Sequence, residues 1–200
     1  MYDDPSPPRN FAVMAAGFEG GLAVVAVGLG WLLGLDPLGS FRFDMAAVGL
    51  GVTAALPLLL LLWLCVKCPL PGFRRLLEVL DRHLLPLFRE CRVLELAVIA
   101  ALAGLGEEML LRGIVQAGMA AWIGGPAGFW VALFGAAVLF GALHAVTPTY
   151  ALLAGTVGLY LGWLWIFADY NLLAPVTAHA AYDFFALIYL LRARKPLAVA

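Results

Sequence analysis

Three pairs of residues share one spacing, and each pair could do chemistry: Glu108 and Arg112, Phe140 and His144, and His179 and Asp183. All are at i, i+4, which stacks both members on one face of a helix. Glu107 directly precedes the first pair, and the chain has only 3 histidines, of which two sit in otherwise apolar segments. A carboxylate held in low dielectric is a general base or acid. A histidine beside it can share or orient an attacking water, and a second histidine with a hydrogen-bonding neighbour can stabilise an oxyanion. Two histidines and a carboxylate are equally a zinc ligand set. Both chemistries lead to water-mediated hydrolysis of a polar bond.

The elements that must position these groups are membrane helices. Of 200 residues, 64% are hydrophobic and 12% charged, and the mean hydropathy is +0.97. A soluble domain is about 25% charged. That composition excludes a cytosolic enzyme, a nucleic-acid binder and a disordered tail, and a net charge of −1 adds no basic field. The sequence predicts an all-α polytopic helix bundle of about six spans in one integrated domain. Residues 1–92 supply two spans and an amphipathic cytoplasmic connection, and residues 93–200 form the core that carries the chemistry. The spans run from about Phe11 to Leu35, Met45 to Val66, Val93 to Ile123, Pro126 to His144, Tyr150 to Phe167 and Leu172 to Leu191. The first lacks the basic flank of a signal peptide and reads as uncleaved. Between Lys67 and Arg92, Leu76, Leu77, Leu80, Leu84 and Leu87 form an apolar stripe opposite Arg75, Glu78, Arg82 and Arg89, as in a helix lying on the membrane surface.

Six spans put Arg9, the basic Lys67–Arg92 connection, Arg192, Arg194 and Lys195 on one side and only Arg42 on the other. The positive-inside rule then makes both termini cytoplasmic, in a multi-pass protein of the cell (inner) membrane. Trp31, Trp63, Trp122, Trp163 and Trp165 lie near span ends, where indoles favour the interface.

Charged groups inside spans are costly and functional by default. Glu19, the lone charge of its span, and Glu95 read as polar packing contacts. Cys65 and Cys68 form a CxxC without a redox or zinc-ribbon context, and three cysteines make no disulfide framework. Gly17, Gly20 and Gly21, and likewise Gly155, Gly158 and Gly162, read as close helix contacts. His83 reads as solvated, and Pro57, Pro148 and Pro175 as kinks or span ends.

Glu107-Glu108-Met109-Leu110-Leu111-Arg112 resembles the EExxxR motif of the CPBP family, the intramembrane proteases related to the CAAX prenyl endopeptidase and to bacteriocin-processing proteins. Phe140 to His144 is similar to the family's FxxxH, and His179 to Asp183 to its HxxxN/D, in the same order. The resemblance covers roughly Arg92 to Leu191. It implies a glutamate-type endopeptidase, a class formerly grouped with metalloproteases, that cuts a membrane-associated protein or peptide. Glu107 would activate water, His144 would position it, and His179 with Asp183 would steady the oxyanion. Glu108, Arg112 and Phe140 would be supporting. It implies no required cofactor, with zinc possible on Glu107, His144 and His179. The bilayer and the substrate are the implied partners, nucleic acid is not, and oligomeric state is open. Asp183 departs from the Asn common in the prenyl endopeptidases. A carboxylate donates to an oxyanion only when protonated, so Asp183 fits better as an acceptor orienting His179.

Two other classes compete. A non-proteolytic membrane scaffold or immunity protein would keep the fold but has no need to bury Glu107, His144 and His179 together. A small transporter would need polar residues along a complete path, whereas spans one, two and five are nearly free of them. One difficulty is depth: Glu107 lies ~22 Å along a straight helix from Arg92, too far to meet His144. The sequence therefore requires either that the first turns after Arg92 lie in the interface, or that the chain bends near Gly104 and Gly106.

Overall fold

The computed structural model describes residues 10–194; the expectations for the first nine residues and for Lys195 fall outside them. Apolar sequence long enough to satisfy its own backbone hydrogen bonds in lipid must be helical, and the described residues form seven helices and no strand. They are α1 (Phe11–Leu33), α2 (Met45–Lys67), α3 (Pro71–Val79 continued through Leu80–Leu84 and Leu85–Phe88), α4 (Val93–Glu108 continued through Met109–Gln116 and Ala117–Ile123), α5 (Gly125–Leu143), α6 (Pro148–Phe167) and α7 (Leu173–Ala193). Five of them, α1, α2, α5, α6 and α7, are long and apolar enough to cross a membrane. The third expected span, α4, is continuous but broken in character: its middle section, Met109–Gln116, is π-helical and follows Glu107 and Glu108. The molecule is a multi-pass membrane protein.

Helix ends follow local chemistry. Asp44 caps α2 by accepting from the Ala46 N–H at 3.0 Å, and Thr147 caps α6 by accepting from the Tyr150 N–H at 3.1 Å. Gly34 ends α1 in the left-handed region at φ 69°, where a side chain would be strained. Glu95 is a capping residue rather than a packing contact: its carboxylate accepts from the Arg92 N–H at 2.7 Å at the start of α4.

Helix α4 is central, packed against α1, α5 and α7, while α2 runs along α7 and α5 along α6. Close approach requires missing side chains. A Cβ on Gly104 would come within 2.8 Å of the Ala180 backbone nitrogen on α7, and one on Gly106 within 2.5 Å of the Glu19 backbone carbonyl oxygen on α1. These two glycines therefore let neighbours dock on two faces of α4. The helix stays α through both and widens only from Met109. The α6 glycines also make tight contacts, Gly158 with Phe140 and Gly162 with Gln116, but Gly17 and Gly21 on α1 face open space.

Both ends of the bundle are recognisable. At one, Phe11 meets Phe88 edge-on at 5.0 Å, Gly72 approaches Thr149, and Asp81 pairs with Arg194. At the other, Arg42 donates to the Asp169 oxygen at 2.8 Å and Asn171 bonds both backbone groups of Arg42. Trp165 belongs here but is buried, its indole N–H donating to the Tyr170 oxygen at 2.9 Å, so it packs inward rather than lying in the interface.

The surface helix α3 differs from its expected stripe. Its buried residues are Leu76, Leu77, Asp81 and Leu85, because the π-turn at Leu80–Leu84 adds a residue and moves the inward register from Leu84 to Leu85. Asp81 takes a two-pronged bond from Arg194, 2.6 Å to Nε, which holds the Arg194 guanidinium above its usual pKa. Asp81→Ala should therefore cost about 2 kcal/mol, read as a lowered unfolding midpoint in lipid nanodiscs. An unchanged midpoint would mean that the pair carries no net stability.

Candidate active site

Glu107 and Glu108 close the α-helical part of α4, and Arg112 follows one turn later inside the π-helical stretch. Such widened turns are frequent at functional sites, and nothing in the residues Met109–Gln116 announces this one. The i, i+4 relation survives: Arg112 donates to Glu108 at 2.9 Å, with Glu108 0% and Arg112 1% exposed. The same guanidinium donates to the Gly158 oxygen on α6 at 2.6 Å and lies over the Phe140 ring. Two like-buried opposite charges thus tie α4 to α5 and α6.

His144 sits at the end of α5. Its Nδ1 contacts the Phe140 carbonyl at 2.9 Å, and a carbonyl only accepts, so Nδ1 carries the hydrogen. The other nitrogen, Nε2, faces the Glu107 carboxylate at 3.9 Å. Phe140 stacks on His144 with ring centres 4.4 Å apart and meets His179 edge-on at 5.9 Å, so one aromatic ring orients both histidines.

His179, buried on α7, contacts carboxylates through both nitrogens: Nδ1 to Glu108 at 2.9 Å and Nε2 to Asp183 at 3.5 Å. An ionised carboxylate only accepts, so Nδ1 carries a hydrogen towards Glu108. Asp183 stands within ion-pair distance of the other nitrogen.

The structure brings Glu107 to His144, and Glu108 to both Arg112 and His179. Glu107 and His144 meet although α4 stays α-helical through Gly104 and Gly106.

Among the described residues, no three His, Cys, Asp or Glu side chains gather to hold a metal ion. Of Glu107, His144 and His179, only the first two come within ion-pair distance of each other, and His179 has both nitrogens directed at other carboxylates. These side chains, as placed, do not fit a zinc site.

Sequence reasoning missed two neighbours of the site. Tyr150, at the start of α6, lies edge-on to His144 at 5.9 Å, and no spacing signals it. Glu19 lies on the face of α1 whose backbone packs on Gly106, the residue before Glu107; its signal was being the lone charge of an apolar span. Cys65 and Cys68 are free thiols, and His83 is exposed. An apolar groove of about 580 Å³ opens between α2 and α7. It uses another face of α7, through Phe185, Ile188 and Arg192, and no candidate site residue lines it.

No curated protein and no solved structure matches the chain. The Rce1-like family model, described as type II CAAX prenyl endopeptidase Rce1-like, matches residues 89–185. That stretch contains Glu107, Glu108, Arg112, Phe140, His144, His179 and Asp183, the residues just assembled from α4, α5 and α7. Residues 89–185 are thus a domain of the Rce1-like type II CAAX prenyl endopeptidase (CPBP) family.

Proposed function

We propose that the protein is an intramembrane endopeptidase that hydrolyses a peptide bond of a membrane-associated protein or peptide, with water activated by Glu107. The observation that carries this is the approach of the Glu107 carboxylate to Nε2 of His144 at 3.9 Å. A water beside them donates one O–H to the carboxylate and the other to Nε2, which leaves its lone pairs for the scissile carbonyl. Glu107 takes the proton as the oxygen attacks, and later passes it to the departing amine. The Nε2–H of His179 turns from Asp183 to the oxyanion, while Glu108 balances the imidazolium. Arg112 and Phe140 hold these groups in place. No cofactor takes part in this scheme.

The same reading places both termini in the cytoplasm. Lys and Arg cluster at the end of the bundle that holds α3, the start of α1 and the end of α7, and Arg42 lies at the other. His144 follows α5 at the basic end, next to Tyr150, so a cytoplasmic stretch of substrate reaches the site.

The test compares membrane and secreted proteomes, including terminal peptides, of cells carrying the wild-type chain or Glu107→Gln. One or a few proteins accumulating uncut in the variant is the expected outcome and names the substrate. Matching proteomes, with a deletion that still has a phenotype, would replace the proteolytic reading with that of a membrane scaffold.

A further inference from the structure

The groove between α2 and α7 lies apart from the candidate active site and has a chemistry of its own. Leu59, Leu62 and Trp63 of α2 and Phe185 and Ile188 of α7 form apolar walls around about 580 Å³. That volume is in the range of a site for a whole small ligand. Arg192, in the last turn of α7, lines the same groove.

The two helices run the same way: Gly51 meets α7 at Ala174 and Thr177, and the groove opens further along both. Lys67 and Arg192 lie about equally far beyond that contact, each exposed and in the last turn of its helix. They put two positive charges at one level, on the end of the bundle that holds α3. The acidic side chains of α3 do not balance them. Asp81 is committed to Arg194 and Glu78 to Arg82, and no carboxylate among the described residues pairs with Lys67 or Arg192. Trp63 precedes Lys67 by one turn, and an indole there favours the headgroup boundary. The groove is therefore apolar on the membrane side of that boundary and cationic at its mouth. An acyl chain suits the walls and a phosphate suits the mouth. A zwitterionic lipid brings its own cation, whereas a lipid of net negative charge leaves its phosphate to Lys67 and Arg192. Each basic residue beside anionic lipid is worth about five-fold in affinity.

We propose that the groove between α2 and α7 binds an anionic phospholipid of the leaflet at the basic end, with an acyl chain between the helices and the phosphate on Arg192 and Lys67. A lipid held there braces α2 against α7, the helix that carries His179 and Asp183. Such a site does not depend on the proteolytic reading, since no candidate site residue lines the groove.

Trp63 reports occupancy, and subtracting the emission of a Trp63→Phe protein isolates its signal. The full chain is placed in nanodiscs of one composition, phosphatidylcholine with a minority of phosphatidylglycerol. Bromines, which quench an indole on contact, are carried either by the phosphatidylglycerol or by an equal share of the phosphatidylcholine. Brominated phosphatidylglycerol should quench Trp63 with an apparent affinity about twenty-fold above that of brominated phosphatidylcholine. Arg192→Gln should lower that preference about five-fold. Combining it with Lys67→Gln should bring the two lipids level while leaving quenching by brominated phosphatidylcholine unchanged, which also certifies the fold. Three outcomes overturn the assignment: equal quenching in the wild-type chain, a preference that survives the double substitution, and no quenching by either lipid, as when a second copy covers the groove.

Discussion

Glu107→Gln and His144→Ala will each slow peptide-bond hydrolysis by about 10³-fold, and combining them will add little. A positioned general base contributes about 10²–10⁴-fold. Both side chains act on the same water: one takes its proton, the other accepts its second hydrogen bond at an Nε2 that faces Glu107 across 3.9 Å. Groups that act as a unit are non-additive. Once either is gone the water is no longer held for attack, and losing the other costs little more. Independent contributions would instead multiply, to about 10⁶-fold for the double variant. Initial rates on the substrate named by the proteome comparison, with each protein in lipid nanodiscs, separate the outcomes. Both side chains are partly exposed, so the unfolding midpoints should stay close to wild type, and a large drop would make the kinetic loss a folding effect.

Local geometry was legible and tertiary register was not. The spacing of Glu108 and Arg112, and of His179 and Asp183, fixes neighbours within a helix, and the structure places each pair within 3.5 Å. Nothing in the sequence says that Glu108 also meets His179 at 2.9 Å. That contact depends on how α7 settles on α4 at Gly104. A glycine's use as a docking point depends on its partner, as Gly17 and Gly21 illustrate by facing open space. The π-helical stretch after Glu108 has no sequence signature, and the similar turn in α3 exchanged Leu84 for Leu85 on the buried face. Trp165 turned inward because Tyr170, five residues on, offers its carbonyl. Single charges were the hardest to read. Glu95 caps a helix and Glu19 lies on the face of α1 that docks on Gly106, yet in sequence both are one acidic residue in an apolar run.

The buried pair beneath the site makes the second large prediction. Arg112→Met should destabilise the protein by about 3–5 kcal/mol, because it leaves Glu108 charged and buried with only His179 opposite it. Arg112→Lys should recover little, since a point charge cannot span Glu108 and the Gly158 carbonyl as the planar guanidinium does. Glu108→Gln combined with Arg112→Met should recover most of the loss, because removing both charges removes the desolvation cost. Gln at 108 also still offers an oxygen to the Nδ1–H of His179. Unfolding midpoints of the four proteins in one detergent decide this, and a double variant no better than Arg112→Met would sink the pairing argument. Hydrolysis should not follow stability. With Gln at 108, His179 keeps its orientation but loses a carboxylate that balances its cation, so the double variant should be folded and still about 10-fold slower than wild type. Stability and rate parting in this way would place Glu108 beneath the chemistry, holding His179, with Glu107 facing the water.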